Sequence, residues 1–429
     1  MSQLNTKRSS IQTHEGGTAK HINSYQALRR AVMSCLLWED QFYEDGVSIA
    51  DRICDLIKAN KPESVAQLAI EARHRLRHVP LLLVRELARG NGKLIGKTLA
   101  EVIQRPDELT EFLAIYWKDG RCPLSAQVKQ GLAKAFQKFN GYQLAKYNRD
   151  GEIKLRDVLF LSHAKPKDEA QAAIWKGLVD GTLAAPDTWE VGLSGGGNKK
   201  DTFTRLLTEK KLGYMALMRN LRNMTEVSVD RQLITNALIR GAEKSKALPF
   251  RYISAARACP QLVREIDEAM QLSLKSQEKL PGETHLIVDC SGSMGARLSD
   301  RSELSRFDAA GALAVLLSGI CERLRVFAFG SVWKEVAPYQ GLSLVDVIKT
   351  ANVGHATYLG KTVREIQSQS TCDRMICITD EQSHDSIPDP KGTGYVINVA
   401  SYKNGVGYGA WTHIDGFSES VIDFIREVE

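Results

Sequence analysis

Residues 284–295, Thr-His-Leu-Ile-Val-Asp-Cys-Ser-Gly-Ser-Met-Gly, constrain this chain more than any other stretch. A short apolar run stops at Asp289, and the next residues bring hydroxyl, glycine, hydroxyl and glycine. The run reads as a buried strand. In an open α/β sheet, the turn at the carboxyl end of such a strand is where ligands bind. Asp289, Ser291 and Ser293 would place one carboxylate and two hydroxyls in a tight turn, hard oxygen donors suited to Mg²⁺. The plainer alternative is that the two serines cap the helix that follows.

This Asp-x-Ser-x-Ser turn resembles the first segment of the metal-ion-dependent adhesion site of von Willebrand factor A domains. That family also needs a threonine in a later loop and an aspartate at the end of a later strand. Arg374-Met375-Ile376-Cys377-Ile378-Thr379-Asp380 matches the second requirement, and Gly354-His355-Ala356-Thr357 supplies the threonine, with His355-Ala356 where the family usually has Gly-Gly. The resemblance implies an ion, Mg²⁺ or another hard divalent cation, held by Asp289, Ser291, Ser293, Thr357 and Asp380, the second carboxylate acting through water. No general base or nucleophile–base pair stands nearby in the sequence, and Cys290 lacks the fixed cation that would activate a thiol. The site reads as binding, and the chain is not expected to be an enzyme.

Composition bounds the rest. At 429 residues the chain has room for two or three domains. No segment approaches the ~20 consecutive apolar residues of a membrane span. The polar stretch Met1 to Lys20 lacks a signal-peptide core. The cysteines show no paired spacing, which fits a reducing cytoplasm rather than a disulfide framework or zinc. The net charge of +6 conceals an asymmetry: residues 1–280 hold 44 Lys and Arg against 32 Asp and Glu, while residues 281–429 hold 13 against 19. A basic first part suggests a polyanion partner for that part alone, against the plainer reading of a solvated Lys-rich helical surface.

Residues 276–283, ending in Leu280-Pro281-Gly282-Glu283, divide two regimes. After them, strands at 286–289, 324–329, 374–379 and 395–399 alternate with helices at 307–321, 345–349, 362–367 and 420–428. That alternation predicts a doubly wound, mainly parallel sheet over 284–429. Before them, helical spacing of apolar residues recurs at 25–37, 48–59, 62–75, 80–88, 97–104, 108–117, 125–139, 143–147 and 155–161. Chained helix pairs of this length suggest an α-solenoid of HEAT type, although no clean sequence repeat is visible. Residues 1–19 are expected to be a flexible N-terminus.

Four blocks resemble the TROVE domain of the Ro autoantigen family: Val79-Pro80-Leu81-Leu82-Leu83-Val84-Arg85-Glu86-Leu87, then Asp157 to Pro166, Tyr214 to Met224, and Leu248-Pro249-Phe250-Arg251-Tyr252. With the A-type segment behind it, the chain looks like a bacterial-type Ro protein with its TROVE region at 20–275. The resemblance implies a multidomain fold, an all-α HEAT-like ring followed by the α/β von Willebrand factor A domain. It implies a monomeric protein in a cytoplasmic ribonucleoprotein that binds small noncoding Y-like RNA and the single-stranded ends of misfolded RNAs. It further implies a role in RNA quality control, processing or decay, alongside an exoribonuclease such as polynucleotide phosphorylase.

The richest candidate RNA surface runs from Lys146 to Arg156, taking in Tyr147, Arg149 and Lys154, and continues to His163, Lys165 and Lys167. It interleaves cations with an aromatic ring and a histidine. Lys146 and His163 fall where the family has RNA-contacting residues, and Asp150 stands where a basic residue would be expected. Further phosphate-binding candidates are Arg73, Arg75 and Arg77; Lys134 and Lys138 on one helix face; and Arg219 with Arg222. His74 and His78 share a helix face, but the flanking arginines favour phosphate over zinc. The run Ser194-Gly195-Gly196-Gly197-Asn198-Lys199-Lys200 lacks the Gly-Lys-Ser/Thr end of a phosphate loop. The competing reading is a metal-dependent protein-interaction scaffold that does not touch RNA.

Overall fold

The computed structural model describes residues 11–19, 21–33, 46–74, 76–90, 94–185, 187–194, 196–245, 247, 249–275, 278–298, 303–400, 404–407, 409–415 and 425. These fall into two compact units. One comprises residues 24–38 and 46–196, the other residues 1–23, 39–45 and 197–429.

The first unit is helical: α1 (Ser24–Met33), α2 (Gly46–Lys58), α3 (Pro62–Arg73), α4 (His78–Arg89), α5 (Ile95–Val102), α6 (Pro106–Tyr116), α7 (Ala126–Phe136), α8 (Gly141–Tyr147), α9 (Leu155–Ser162), α10 (Glu169–Asp180) and α11 (Trp189–Ser194). Local chemistry sets several starts. Ser125 Oγ accepts the Val128 N–H ahead of α7, Asn140 and Gln143 form a reciprocal box ahead of α8, and Asp168 accepts the Gln171 N–H ahead of α10. Packing follows a two-layer rule. α3 lies against α4 and α5, α5 against α7, and α7 against α9, while α2 meets α4 and α4 meets α6. Adjacency of every second helix is the mark of a helical-repeat stack, in which each pair closes its apolar face only against its neighbours. One continuous core from Leu28 to Leu178 results.

In the second unit α12 (Lys199–Thr208), α13 (Tyr214–Glu226), α14 (Arg231–Ala242), α15 (Pro249–Ala258) and α16 (Val263–Lys275) stack on one another. An α/β domain follows with β1 (Leu280–Asp289), α17 (Arg306–Ile320), β2 (Cys321–Phe329), β3 (Trp333–Val336), α18 (Leu342–Lys349), α19 (Leu359–Gln369), β4 (Arg374–Thr379), β5 (Thr393–Asn398) and β6 (Thr412–Asp415). The sheet order is β3-β2-β1-β4-β5-β6, parallel except for the β3 edge. Helix α17 is apolar on all sides and almost wholly buried, because it packs against the sheet on one flank and against α15 and α16 on the other. That contact makes the last repeats and the α/β domain one body.

Three expectations change. The first strand begins at Leu280, inside the stretch read as a linker. Residues 11–19 are not a loose tail. Thr13 Oγ1 donates to the Ser383 carbonyl at 2.8 Å, and the His14 N–H donates to Gln382 Oε1 at 2.7 Å. Asn404 Nδ2 donates to the Gln12 carbonyl at 2.8 Å. A Cβ on Gly17 would lie 2.2 Å from the Ser383 carbonyl oxygen, so only glycine fits there. The short strands β3 and β6 join the predicted four. The end of the first predicted helix beyond Met33 and the closing helix at 420–428, residue 425 apart, lie outside the described residues.

Candidate metal centre and nucleic-acid interface

The chain leaves β1 toward β2 on one side and comes back to β4 on the other, so the carboxyl ends of β1 and β4 border the point where strand order reverses. Asp289 ends β1, Asp380 follows β4, and both are buried. Asp289 Oδ1 accepts the Ser291 N–H at 2.8 Å, and its Oδ2 accepts the Thr379 hydroxyl at 2.6 Å. The hydroxyls of Ser291 and Ser293 stand 3.2 Å apart. Thr357 arrives on a third loop that turns at Gly354, whose φ is +79°. The Gly292 N–H donates to the His355 carbonyl at 3.0 Å, docking that loop on the serine turn. The Thr357 carbonyl accepts from Ser383 Oγ at 3.1 Å and from the His384 N–H at 2.9 Å.

Burial, and then the charge of Asp380, pushes the Asp289 carboxyl from 3.8 up to about 7. Two buried carboxylates beside two serine hydroxyls, with a buried threonine on the loop docked to them, make a hard-oxygen donor set that a divalent cation would relieve of its mutual repulsion. The residues present therefore fit the ion. Burial also pushes the neighbouring Cys290 thiol up to about 12, which leaves it a neutral packing group. Among the described residues no three His, Cys, Asp or Glu side chains converge to hold a metal. The donor set is thus two carboxylates plus hydroxyls, without a nuclease-type cluster.

A residue that the sequence did not single out enters here. Arg306, 1% exposed, donates from Nη1 to Asp380 Oδ2 at 3.1 Å. It opens α17, which Ser305 caps by accepting the Asp308 N–H.

The basic candidates separate into two groups. Arg73 donates through Nε to the Val102 carbonyl at 2.9 Å and pairs with the fully buried Glu108, which also accepts the Gln104 and Arg105 N–H groups. Arg77 pairs with Asp107 and Glu111. Lys138 Nζ donates to the carbonyls of Ala100, at 2.6 Å, and Ile103, closing the C-terminal end of α5. Partial burial lowers the Lys138 ammonium below its usual range. These three tie helices together; the charges of the half-buried Arg73 and Arg77 are spent on carboxylates inside the unit, while Lys138 stays exposed. Arg75 lies outside the described residues, and Lys134 is exposed.

The second group faces solvent. Arg149, Arg156, His163 and Lys165 are exposed, and Lys146 is half-buried with its Nζ 5.9 Å from the centre of the Tyr147 ring. Arg105 stacks on that ring at 4.9 Å. Lys154 pairs with Asp150 at 2.8 Å, which occupies one cation of the loop. His163 ends α9 in the left-handed region, φ +52°, and projects at the bend. Tyr142 (54%) and Phe160 (60%) are exposed on α8 and α9, at either end of the Lys146–Arg156 stretch. Sequence reasoning passed over both because their helices read as core. In the second unit, Arg219 and Arg222 are exposed on α13. Arg222 lies 3.6 Å from Glu226, while burial, and then the charge of Arg219, lowers the Arg251 guanidinium on α15.

A model of the TROVE domain matches residues 181–286. Over that span the chain is similar to the TROVE domain. The matched span runs from α11 into β1 and includes two of the four resembling blocks, Tyr214–Met224 and Leu248–Tyr252; the other two lie ahead of it. The crystal structure of the RO (RSR) protein of Deinococcus radiodurans superposes with a TM-score of 0.61 at 16% identity, over 94% of this chain and 98% of that one. At that identity the likeness establishes the fold: helical repeats followed by the α/β domain. Telomerase protein component 1 of Mus musculus is 30% identical over 89 residues, 20% of this chain and 3% of its own length. The chain thus spans only a small part of that curated relative.

The candidate ligands Asp289, Ser291, Ser293, Thr357 and Asp380 lie on three neighbouring loops of one domain. The basic candidates fall on both compact units. Those of 146–165 lie on α8 to α9 and the loop after it, Arg73, Arg77 and Lys138 are built into the helix stack, and Arg219 and Arg222 sit on the other compact unit.

Proposed function

We propose that this protein binds small noncoding Y-like RNA and single-stranded ends of misfolded RNAs, as part of a ribonucleoprotein for RNA quality control, processing or decay. TROVE-domain proteins are RNA-binding proteins, which supports the general reading. The observation that carries the location is the exposed strip on α8 and α9. Arg149, His163 and Lys165 have no carboxylate partner among the described residues, and Tyr142 on α8 and Phe160 on α9 are exposed aromatic side chains. Cations give affinity for the phosphate backbone without reading sequence, and exposed rings stack on unpaired bases. Both suit a protein that must accept many defective RNAs.

In the same reading, the α/β domain holds Mg²⁺ or another hard divalent cation through Asp289, Ser291, Ser293 and Thr357, with Asp380 close by. When bound, the ion supplies a Lewis-acid position that a partner carboxylate can complete. The excess of Asp and Glu over Lys and Arg in 281–429 selects against a strongly acidic partner, so a single carboxylate on a neutral or basic surface is the expected ligand. An exoribonuclease held beside the RNA fits that description, and binding rather than catalysis is the role of this chain.

The test is a triple replacement, Lys146→Ala, Arg149→Ala and His163→Ala, assayed with a Y-like stem–loop and with a single-stranded 3′ end at several salt concentrations. Affinity is expected to fall at least ten-fold, with a shallower dependence on salt because fewer counterions are released. Unchanged affinity and slope would remove the strip from the RNA interface.

A further inference from the structure

The side chain that completes the acidic centre is already a cation. Arg306 is buried with Asp380, and its guanidinium sets a positive charge against that carboxylate. It cannot swing out freely, because the turn that bears it is fastened on both sides. The Arg306 N–H donates to the Ala296 carbonyl at 2.9 Å, which ties it to the segment just after the serine turn. Two residues on, Asp308 accepts the Ser305 N–H and hydroxyl at 2.7 and 2.8 Å and takes both guanidinium arms of Arg257 on α15. The first turn of α17 is therefore anchored to the helical repeats at one carboxylate and to the metal centre at one guanidinium.

Resting on the metal-centre reading above, we propose that Arg306 is a resident counter-cation that holds Asp380 when no ion is bound and competes with the divalent ion for it. Two carboxylates and one guanidinium leave a net charge of minus one, so a divalent ion turns the centre positive instead of neutral. Arg306 thereby sets the metal affinity low and keeps the three loops assembled without metal. A centre of this kind samples its ion reversibly, so occupancy follows whether a partner carboxylate arrives to complete the shell.

The experiment uses the full chain at pH 8, with MgCl₂ titrated at fixed ionic strength by calorimetry and by thermal unfolding against EDTA. Wild type is expected to bind weakly and to unfold at nearly the same temperature in Mg²⁺ and in EDTA. Arg306→Gln is expected to unfold early in EDTA, to be restored by Mg²⁺, and to bind the ion at least ten-fold tighter, a gain of about 1.4 kcal/mol. Arg306→Lys keeps the charge and should stay near wild type. Mg²⁺ binding by Arg306→Gln no tighter than by wild type, or a failure to fold in Mg²⁺ as well as in EDTA, overturns the role of Arg306 while leaving the metal centre standing. Binding by no variant, or binding that survives Asp289→Ala, overturns the metal-centre reading and the proposal with it.

Discussion

Arg73→Met isolates what the structure adds to a list of basic residues. In the folded chain the Arg73 guanidinium is 13% exposed and meets Glu108, whose side chain is fully buried. Two backbone N–H groups, from Gln104 and Arg105, also point at Glu108 Oε2, at 2.8 and 3.1 Å. Methionine fills much of the space but withdraws the positive charge and the Nε–H bond to Val102. Removing one partner of a buried pair strands the other charge, at a cost of about 3–5 kcal/mol. The two N–H donors already on Glu108 offset part of this, so about 3 kcal/mol is the working figure. For a unit of this size each kcal/mol moves the unfolding midpoint by about 2–4 °C, so a drop on the order of 10 °C is expected. Differential scanning fluorimetry on Arg73→Met, with the exposed Arg149→Met as control, reads this directly. A midpoint within about 2 °C of wild type, combined with lost RNA binding, would refute the argument and return Arg73 to the RNA surface.

The pH dependence of the acidic centre follows from Asp289. Its carboxyl is raised from 3.8 to about 7 in the folded state, so the native chain holds that proton more tightly than the unfolded chain does. Its penalty is absent below about 4, grows as pH rises through 4 to 7, and is complete above 7, with a ceiling of about 4 kcal/mol. In EDTA, Asp289→Asn should therefore unfold at a higher temperature than wild type at pH 8, by a margin that shrinks toward pH 4; a margin independent of pH would show that the carboxyl is not penalised. Gly17→Val should force residues 11–19 off the Ser383 loop, since its Cβ would overlap the carbonyl oxygen. The expected cost is about 1–3 kcal/mol, with faster proteolytic cleavage near residue 17, and an unchanged cleavage rate would disprove the packing.

Helical periodicity placed α2 to α9 to within a few residues, because each must present an apolar stripe to its neighbours, while α10 to α16 were not read from spacing. The strands ending at Asp289 and Asp380 were equally legible, since central parallel strands are buried on both faces and read as unbroken apolar runs. Where reading failed, the missing information was non-local. β3 covers only Trp333–Val336 at an edge, too short and too exposed for a pattern. Phe160 sits among core-facing neighbours on α9 yet is 60% exposed. Residues 11–19 carry few apolar side chains and are held by hydrogen bonds to a loop some 370 positions away.

The sequence by itself determined the types of the main elements, the boundary between the helical and α/β regimes, and the turn that brings one carboxylate and two hydroxyls together. Those depend on neighbours within about ten residues, where spacing dictates which side chains share a face. Tertiary structure alone decided which charges are spent and which are offered. Arg73 finds Glu108, Lys138 finds the carbonyls ending α5, and Arg306 finds Asp380 across 74 residues, whereas Arg149, His163 and Lys165 find no carboxylate among the described residues. An ion pair or hydrogen bond requires two groups within a few ångströms, and burial multiplies what each is worth. Neither condition can be read from a residue's type or from its place in the chain.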